Sequence, residues 1–272
     1  MSSPQRRSTI VPELSDRSVA DLISLAGRRA VVTGAARGLG AAVVRRLAEA
    51  GASVIVADID LGGARRFADA IGASCGAAVH PAEVDVADAA SMHALGAAAQ
   101  DVFGGVDIWV NNAGIYPSTP LLELDDDAWD RVIDTNLRGT FLGCREAGRC
   151  MTAAGRGGVI VNMSSIAGIR GRRAGVTSYV ASKHGIVGLT KQVALELAPH
   201  AIRVLGVAPT TIVTPGVEAA LGDVDVEQAL ISPLGRAGHP DDVARVVLFG
   251  ASDLSMFMTG STLLVDAGEM AV

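Results

Sequence analysis

The sequence predicts an α/β fold, a doubly wound parallel sheet in a single domain with helices on both faces. Two observations carry this. From residue 29 onward, short β-branched runs alternate with longer amphipathic segments. Those runs are also almost wholly apolar, as strands covered on both faces must be. No linker or change of composition interrupts the alternation. Residues 25–272 therefore read as one domain, preceded by an N-terminal arm over 1–24.

The arm reads as partly helical near 16–25. RAVVTG (29–34) is the first strand, and 38–50 a helix closed by Gly51. ASVIVAD (52–58) is the next strand and 61–71 the next helix. Residues 77–86 contain a strand up to Asp85, followed by a helix over 88–103. VDIWVNNAG (106–114) is a strand running into a loop, and 126–154 carries helical pattern in two pieces. GGVIVNMSS (157–165) is a strand, 178–198 a long helix and AIRVLGVAP (201–209) a strand. Helical segments near 215–230 and at 240–251, then a strand at 261–265, complete the chain. Asp125-Asp126-Asp127 before Trp129 looks like a helix N-terminus, where carboxylates favour the dipole.

Composition narrows the function. With 272 residues, 49% of them hydrophobic, the chain can bury a large core. A formal net charge of −6 gives no basic footprint for nucleic acid. No apolar run is long enough to suggest a membrane span. Arg6-Arg7 resemble a twin-arginine export signal, but Pro12, Glu13, Asp16 and Asp21 follow where an apolar stretch is required. Three cysteines (Cys75, Cys144, Cys150) without paired spacing read as buried, reduced thiols, and a cytoplasmic location is expected. None of the five histidines pairs with others at metal-ligand spacing, so no metal is expected.

Gly34, Gly38 and Gly40 stand where the first strand meets the first helix. Glycine there permits a tight turn and lets backbone N–H groups approach a pyrophosphate at the positive helix end. Asp58 ends the second strand, where a carboxylate can accept from both hydroxyls of an adenosine ribose and repels a 2′-phosphate. Arg37, inside the glycine turn, argues the other way. Repulsion of a dianion by Asp58 outweighs one flexible Arg, so NAD is expected rather than NADP. Asp60, two residues on, reads as solvated.

The motifs now stand in order: Thr33-Gly34-x3-Gly38-x-Gly40, Asp85-Val86, Asn111-Asn112-Ala113-Gly114, Asn136, Ser164-Ser165, Tyr179-x3-Lys183, Pro209 with Thr214, and Val265-Asp266-Ala267-Gly268. Together they resemble the short-chain dehydrogenase/reductase family in its short single-domain form, over about residues 25–270. The resemblance implies a seven-stranded Rossmann-type sheet. It also implies that Asp85 and Val86 meet the adenine and that Asn112, Ala113 and Gly114 lie along the cofactor. Pro209, Thr210, Ile212 and Thr214 would hold its nicotinamide end, with Leu39 and Ile59 as further contacts. A homotetramer is implied as well.

Only two tyrosines and two lysines occur in the chain, and Tyr179 and Lys183 are one of each, four residues apart on a helix. They therefore share a face. A fixed ammonium favours phenolate, so Lys183 is expected to lower the pKa of Tyr179 and make it a proton shuttle for an alcohol/ketone pair. Lys183 also has donors for the nicotinamide ribose. Ser165 can donate to the substrate oxygen, with Ser164 as the alternative; the family pattern favours Ser165. Asn136 would hold a water linking Lys183 to solvent.

Several features depart from the family pattern. Leu205 and Thr210 replace a common Asn and Gly, and β-branched Thr210 resists positive φ. The loop between Ser165 and Tyr179 looks one residue longer than usual. It carries Arg170, Arg172 and Arg173, which read as a solvated loop more readily than as an anion site. Tyr116, Ile166, Ala167, Thr210, Thr211 and the segment 212–235 would form the substrate wall. That wall is mostly apolar, which favours a neutral, cyclic or medium-sized substrate over a sugar phosphate. The reading is an NAD-dependent oxidoreductase interconverting a secondary alcohol and a ketone. Its alternatives are an NADPH-dependent 3-oxoacyl-thioester reductase and a non-catalytic NAD-binding regulator.

Overall fold

The computed structural model describes residues 11–221 and 232–271. Its seven strands are β1 (Arg29–Thr33), β2 (Ser53–Asp58), β3 (Val79–Glu83), β4 (Ile108–Asn111), β5 (Gly158–Met163), β6 (Ile202–Pro209) and β7 (Thr262–Val265). They form one sheet in the order β3-β2-β1-β4-β5-β6-β7, every pair parallel. Strand order reverses between β1 and β4. Right-handed crossovers on either side of that point leave a crevice beyond the C-terminal strand ends.

The helices follow from the sequence pattern: α1 (Val19–Ile23), α2 (Gly38–Glu49), α3 (Leu61–Cys75), α4 (Ala89–Phe103), α5 (Asp126–Val132), α6 (Gly139–Ala154), α7 (Thr177–Leu197), α8 (Pro215–Leu221) and α9 (Pro240–Ala251). Alternation along the strands sorts them into two layers. Ala30 and Val32 of β1 face a cluster with Val43, Leu47, Ile71 and Val247, from α2, α3 and α9. Val31 faces the opposite cluster with Trp109, Met92, Leu95 and Met151, where α4 and α6 pack. Arg29, at the start of β1, pairs with Asp107 at 2.7 Å and ties β1 to the entry of β4.

Boundaries differ from expectation where side chains take over from the ladder. β3 stops at Glu83. Asp85 turns away, its carboxylate accepting from Ala87 N at 2.9 Å. Between α5 and α6 the chain stays helical, but residues Ile133–Arg138 form a π-helical turn. The expected helix near 215–230 is seen as α8 up to Leu221, and residues 222–230 lie outside those described. Of the arm, residues 1–10 lie outside them too; α1 is capped by Ser18 and lies against the turn at Asp253–Ser255. Asp125 caps α5 as its sequence suggested, accepting from Ala128 N at 2.7 Å. Asp60 is not merely solvated, because it caps α3 by accepting from Gly63 N at 2.9 Å. Of the three thiols only Cys144 is buried; Cys150 is half-buried and Cys75 exposed near the end of α3.

Beneath the crevice a polar network crosses the core. Trp109 Nε1 donates to Asn111 Oδ1 at 2.8 Å, and Asn111 Nδ2 to Asn162 Oδ1 at 2.9 Å. Asn162 Nδ2 in turn donates to Thr190 Oγ1 on α7 at 3.1 Å. Gly143 leaves room for it, since a Cβ there would lie 1.9 Å from Asn111 Oδ1. Gly143→Ala is therefore expected to cost about 1–3 kcal/mol by overpacking. In a thermal melt Tm falls by roughly 2–4 °C per kcal/mol lost. An unchanged Tm would show that this network yields freely.

Candidate active site

At the crevice, the turn after β1 is built by close approach. Gly34 has φ +62° and a Cβ there would come 2.7 Å from Ala113 Cα. A Cβ on Gly40 would come 2.3 Å from Gly34 O. Thr33 Oγ1 accepts from Asn112 N and Ala113 N at 3.1 and 3.2 Å, while Asn112 Nδ2 donates to Thr33 O and Gly34 O. The β1 and β4 loops are thus locked together. Gly38 (φ +58°) holds the left-handed backbone that favours glycine, and a Cβ there would meet the Thr214 side chain at 3.8 Å, an ordinary contact. α2 begins there, with first-turn N–H groups that have no acceptor within the helix. Arg37 occupies its N-cap position and is exposed; Leu39 is half-buried against the core.

Asp58 is braced at the end of β2. Its carboxylate accepts from Ala36 N at 2.9 Å and Asp60 N at 3.0 Å, which fixes it beside the glycine turn. The remaining lone pairs are left as acceptors. The free N–H groups at the start of α2 and a fixed carboxylate acceptor beside the turn suit a nicotinamide dinucleotide. Val86 is buried, Asp85 exposed and Ile59 70% exposed at the rim. Ile212 does not line this cleft with its side chain. It joins the core and bridges to Gly238, because the chain leaving β6 turns inward there.

The end of β5 and the start of α7 bring Ser165, Tyr179 and Lys183 together. Lys183 is buried, its Nζ donating to Met163 O at 2.7 Å and lying 5.6 Å from the Tyr179 ring centroid. Ser164 is turned away, its hydroxyl donating to Lys183 O at 3.1 Å. Ser165 Oγ instead accepts from Ala167 N at 3.1 Å and reaches Pro209 O at 3.4 Å, near Tyr179. Asn136, fully buried in the π-turn, accepts from Ile115 N at 2.8 Å and donates to Ile115 O and Ser182 Oγ. Its side chain is thereby committed to the loop after Gly114 and to α7. Its backbone carbonyl accepts from Thr140 Oγ1 at 2.6 Å.

Electrostatics correct one expectation. Tyr179 is not shifted down: burial pushes its phenol above the ordinary 10, against smaller downward pulls from the Ser165 hydrogen bond and the Arg172 charge. Burial also pushes Lys183 down to about 8, which weakens the ammonium as a phenolate partner.

The outer wall also differs from expectation. Ile166 and Ala167 are fully buried in a 3₁₀ turn and present almost no accessible surface to the cleft. Tyr116 is half-open to solvent, edge-on to Tyr179 with centroids 6.4 Å apart. Gly216 sits beside its hydroxyl, where a Cβ would approach to 2.5 Å. Of the expected wall, residues 222–231 lie outside those described. No motif in the sequence singled out Glu269. Its carboxylate takes Arg170 at 2.7 Å, Arg172 and the Thr210 hydroxyl, while Arg172 also donates to Thr211 Oγ1 at 3.0 Å. The non-glycine at 210 was the signal for it. Thr210 keeps negative φ and spends its hydroxyl on this carboxylate.

The chain is similar to known proteins over nearly its whole length. A family model described as enoyl-(acyl carrier protein) reductase matches residues 34–269. Cis-4-hydroxycyclohexanecarboxylate dehydrogenase of Sinomonas cyclohexanicum is 44% identical over 253 residues, covering 92% of this chain and 99% of that protein. The 3-oxoacyl-[acyl-carrier-protein] reductase FabG of Staphylococcus aureus is 37% identical, covering 89% and 97%. The crystal structure of a short-chain type dehydrogenase/reductase from Mycobacterium marinum superposes with a TM-score of 0.86 at 36% identity, covering 94% of this chain and all of that one.

Two titrations check the electrostatics. In Tyr116→Phe, Tyr179 is the sole tyrosine, and its ultraviolet tyrosinate signal is expected above pH 10 in the free protein. A midpoint below 10 would contradict burial as the dominant influence. Lys183 has a folded pKa of about 8 against an ordinary 10.5, so the unfolded chain binds more protons between those values. The penalty for burying its charge is complete below pH 8 and is relieved as pH rises. Wild type is therefore expected to gain stability relative to Lys183→Met from about pH 8 to 10.5, read by denaturant melts.

Proposed function

The chain belongs to the short-chain dehydrogenase/reductase family, and on that premise we propose that it is an NAD(H)-dependent enzyme interconverting a secondary alcohol and a ketone. The observation that carries the reading is the convergence of Ser165, Tyr179 and Lys183 where the C-terminal end of β5 meets the start of α7, at the same end of the parallel sheet as the glycine turn. When bound, the nicotinamide supplies the hydride acceptor for oxidation and the donor for reduction. Tyr179 moves the other particle, a proton to or from the substrate oxygen. Ser165 donates to that oxygen and stabilises the charge developing on it. Lys183 keeps two N–H donors beyond the one given to Met163 O, enough to hold a ribose hydroxyl and to favour phenolate while charged. Asn136 positions the Ile115 loop and α7 through Ser182. A phenol raised by burial suits the direction in which Tyr179 delivers a proton, and oxidation should therefore quicken with rising pH.

Asp58 supports NAD. Held by two backbone N–H groups, it cannot swing away from a 2′-phosphate without losing both. The exposed Arg37 and the likeness to 3-oxoacyl-[acyl-carrier-protein] reductase keep an NADPH-dependent thioester reductase as the second reading.

Assays with cyclohexanol, cyclohexanone and other secondary alcohols and ketones separate these readings. Turnover is expected with NAD(H), and Tyr179→Phe should lower kcat by about 10²–10⁴-fold while retaining NADH binding. Asp58→Ala should raise the ratio of NADP to NAD kcat/KM at least about tenfold. Wild-type turnover with NADP(H) alone would show that Arg37 outweighs Asp58 and would favour the second reading. NADH binding without any turnover would mean a substrate outside the panel or a regulator.

A further inference from the structure

The mouth of this cleft carries a surplus of positive charge that the proposed reaction does not use. Three arginines, Arg170, Arg172 and Arg173, lie on the loop between Ser165 and Tyr179. Among the described residues, Glu269 is the one carboxylate paired with them; it meets Arg170 and Arg172. Asp266 nearby is occupied with Gly268 N and Met270 N. Arg173 donates to Ser118 Oγ at 3.2 Å, where its loop clasps the one bearing Tyr116, with Thr119 N donating to Gly175 O at 2.8 Å. In a chain with net charge −6, this is a local reversal of sign placed at the cleft.

Arg172 is not a freely solvated side chain. Only 25% of its side-chain surface is exposed, and its two terminal nitrogens are held by Glu269 and Thr211 Oγ1. Its charge reaches Tyr179 strongly enough to oppose the effect of burial there. Fixing a long side chain costs up to about 2 kcal/mol of rotamer entropy, which an idle surface arginine does not incur. With Nη1 kept on Glu269, the Nη2 and Nε edge of the guanidinium matches the two oxygens of a carboxylate. The Thr211 contact is neutral, and an anion can displace it.

Resting on the dehydrogenase reading, we infer that the substrate is a hydroxy or oxo acid whose carboxylate docks on Arg172 at the cleft mouth while its alcohol or ketone carbon lies at Ser165 and Tyr179. Glu269 positions Arg172 for this, and Arg173 adds to the attraction. The neutral substrate favoured by the apolar sequence of the wall is thereby replaced.

The test uses the full chain with NADH and two probes that cannot be oxidised, cyclohexanecarboxylate and its methyl ester, titrated calorimetrically. The carboxylate is expected to bind at least about tenfold more tightly than the ester, as a charged hydrogen-bonded pair should. This preference should shrink with added salt in the wild type. It should fall to near unity in Arg172→Gln and survive in part in Arg172→Lys, with melts checking that each variant folds. Because each preference is a ratio within one protein, a general loss of affinity cancels. Equal binding of both probes, no binding of either, or a preference unmoved in Arg172→Gln would overturn the inference. Turnover of neutral alcohols, measured separately, reports on the dehydrogenase reading: if it persists without carboxylate preference, only the anion site fails. Carboxylate preference without turnover of any alcohol or ketone supports the anion site and overturns the dehydrogenase reading.

Discussion

Lys183 is a buried ammonium held by a backbone carbonyl, Met163 O at 2.7 Å, and the rest of the site is arranged around that contact. It pins the first turns of α7 to the end of β5. Ser164 closes the same junction from the strand side by donating to Lys183 O. Two further polar ties fix the helix: Asn136 to Ser182, and Asn162 to Thr190 two turns further on. Each is buried, so each loses more by breaking than a surface hydrogen bond would. Tyr179 has no freedom to choose its position. It rides on a helix whose register against the sheet is set elsewhere.

The cleft has two ends of opposite character. Beyond β2, Asp58 fixes a negative acceptor where the ribose of a dinucleotide would lie. Beyond β5, the arginine loop brings positive charge to the other end, tempered by Glu269. Between them lies an interior in which both Tyr179 and Lys183 are pushed toward their neutral forms. Burial acts on the two with opposite signs of charge but one consequence: each is harder to charge here than in water.

Much of the fold could be read from the chain. Parallel strands buried on both faces leave near-continuous apolar runs, as in β1, β2, β4, β5 and β6, while the edge strands β3 and β7 are less buried. The π-turn at Ile133–Arg138 was hidden: it carries Asn136, whose side chain bonds a distant loop at Ile115, and no local pattern shows that contact. The choice between Ser164 and Ser165 was open to local reasoning. The strand end ties the Ser164 hydroxyl to the Lys183 carbonyl and leaves Ser165 near Tyr179, which neighbouring residues in the chain do not show. Ile166, Ala167 and Ile212 were expected at ligand walls; tertiary packing turned their side chains inward.

By itself the sequence determined the sheet, the glycine turn, the acidic end of β2 and the pairing of Tyr179 with Lys183 on one helical face, since each rests on residues close together in the chain. Tertiary structure alone decided the direction of the Tyr179 pKa, the inward turn of the pocket residues and the charge at the cleft mouth. Those depend on burial, and on a contact between Arg172 and Glu269 across 97 positions, which no local pattern encodes.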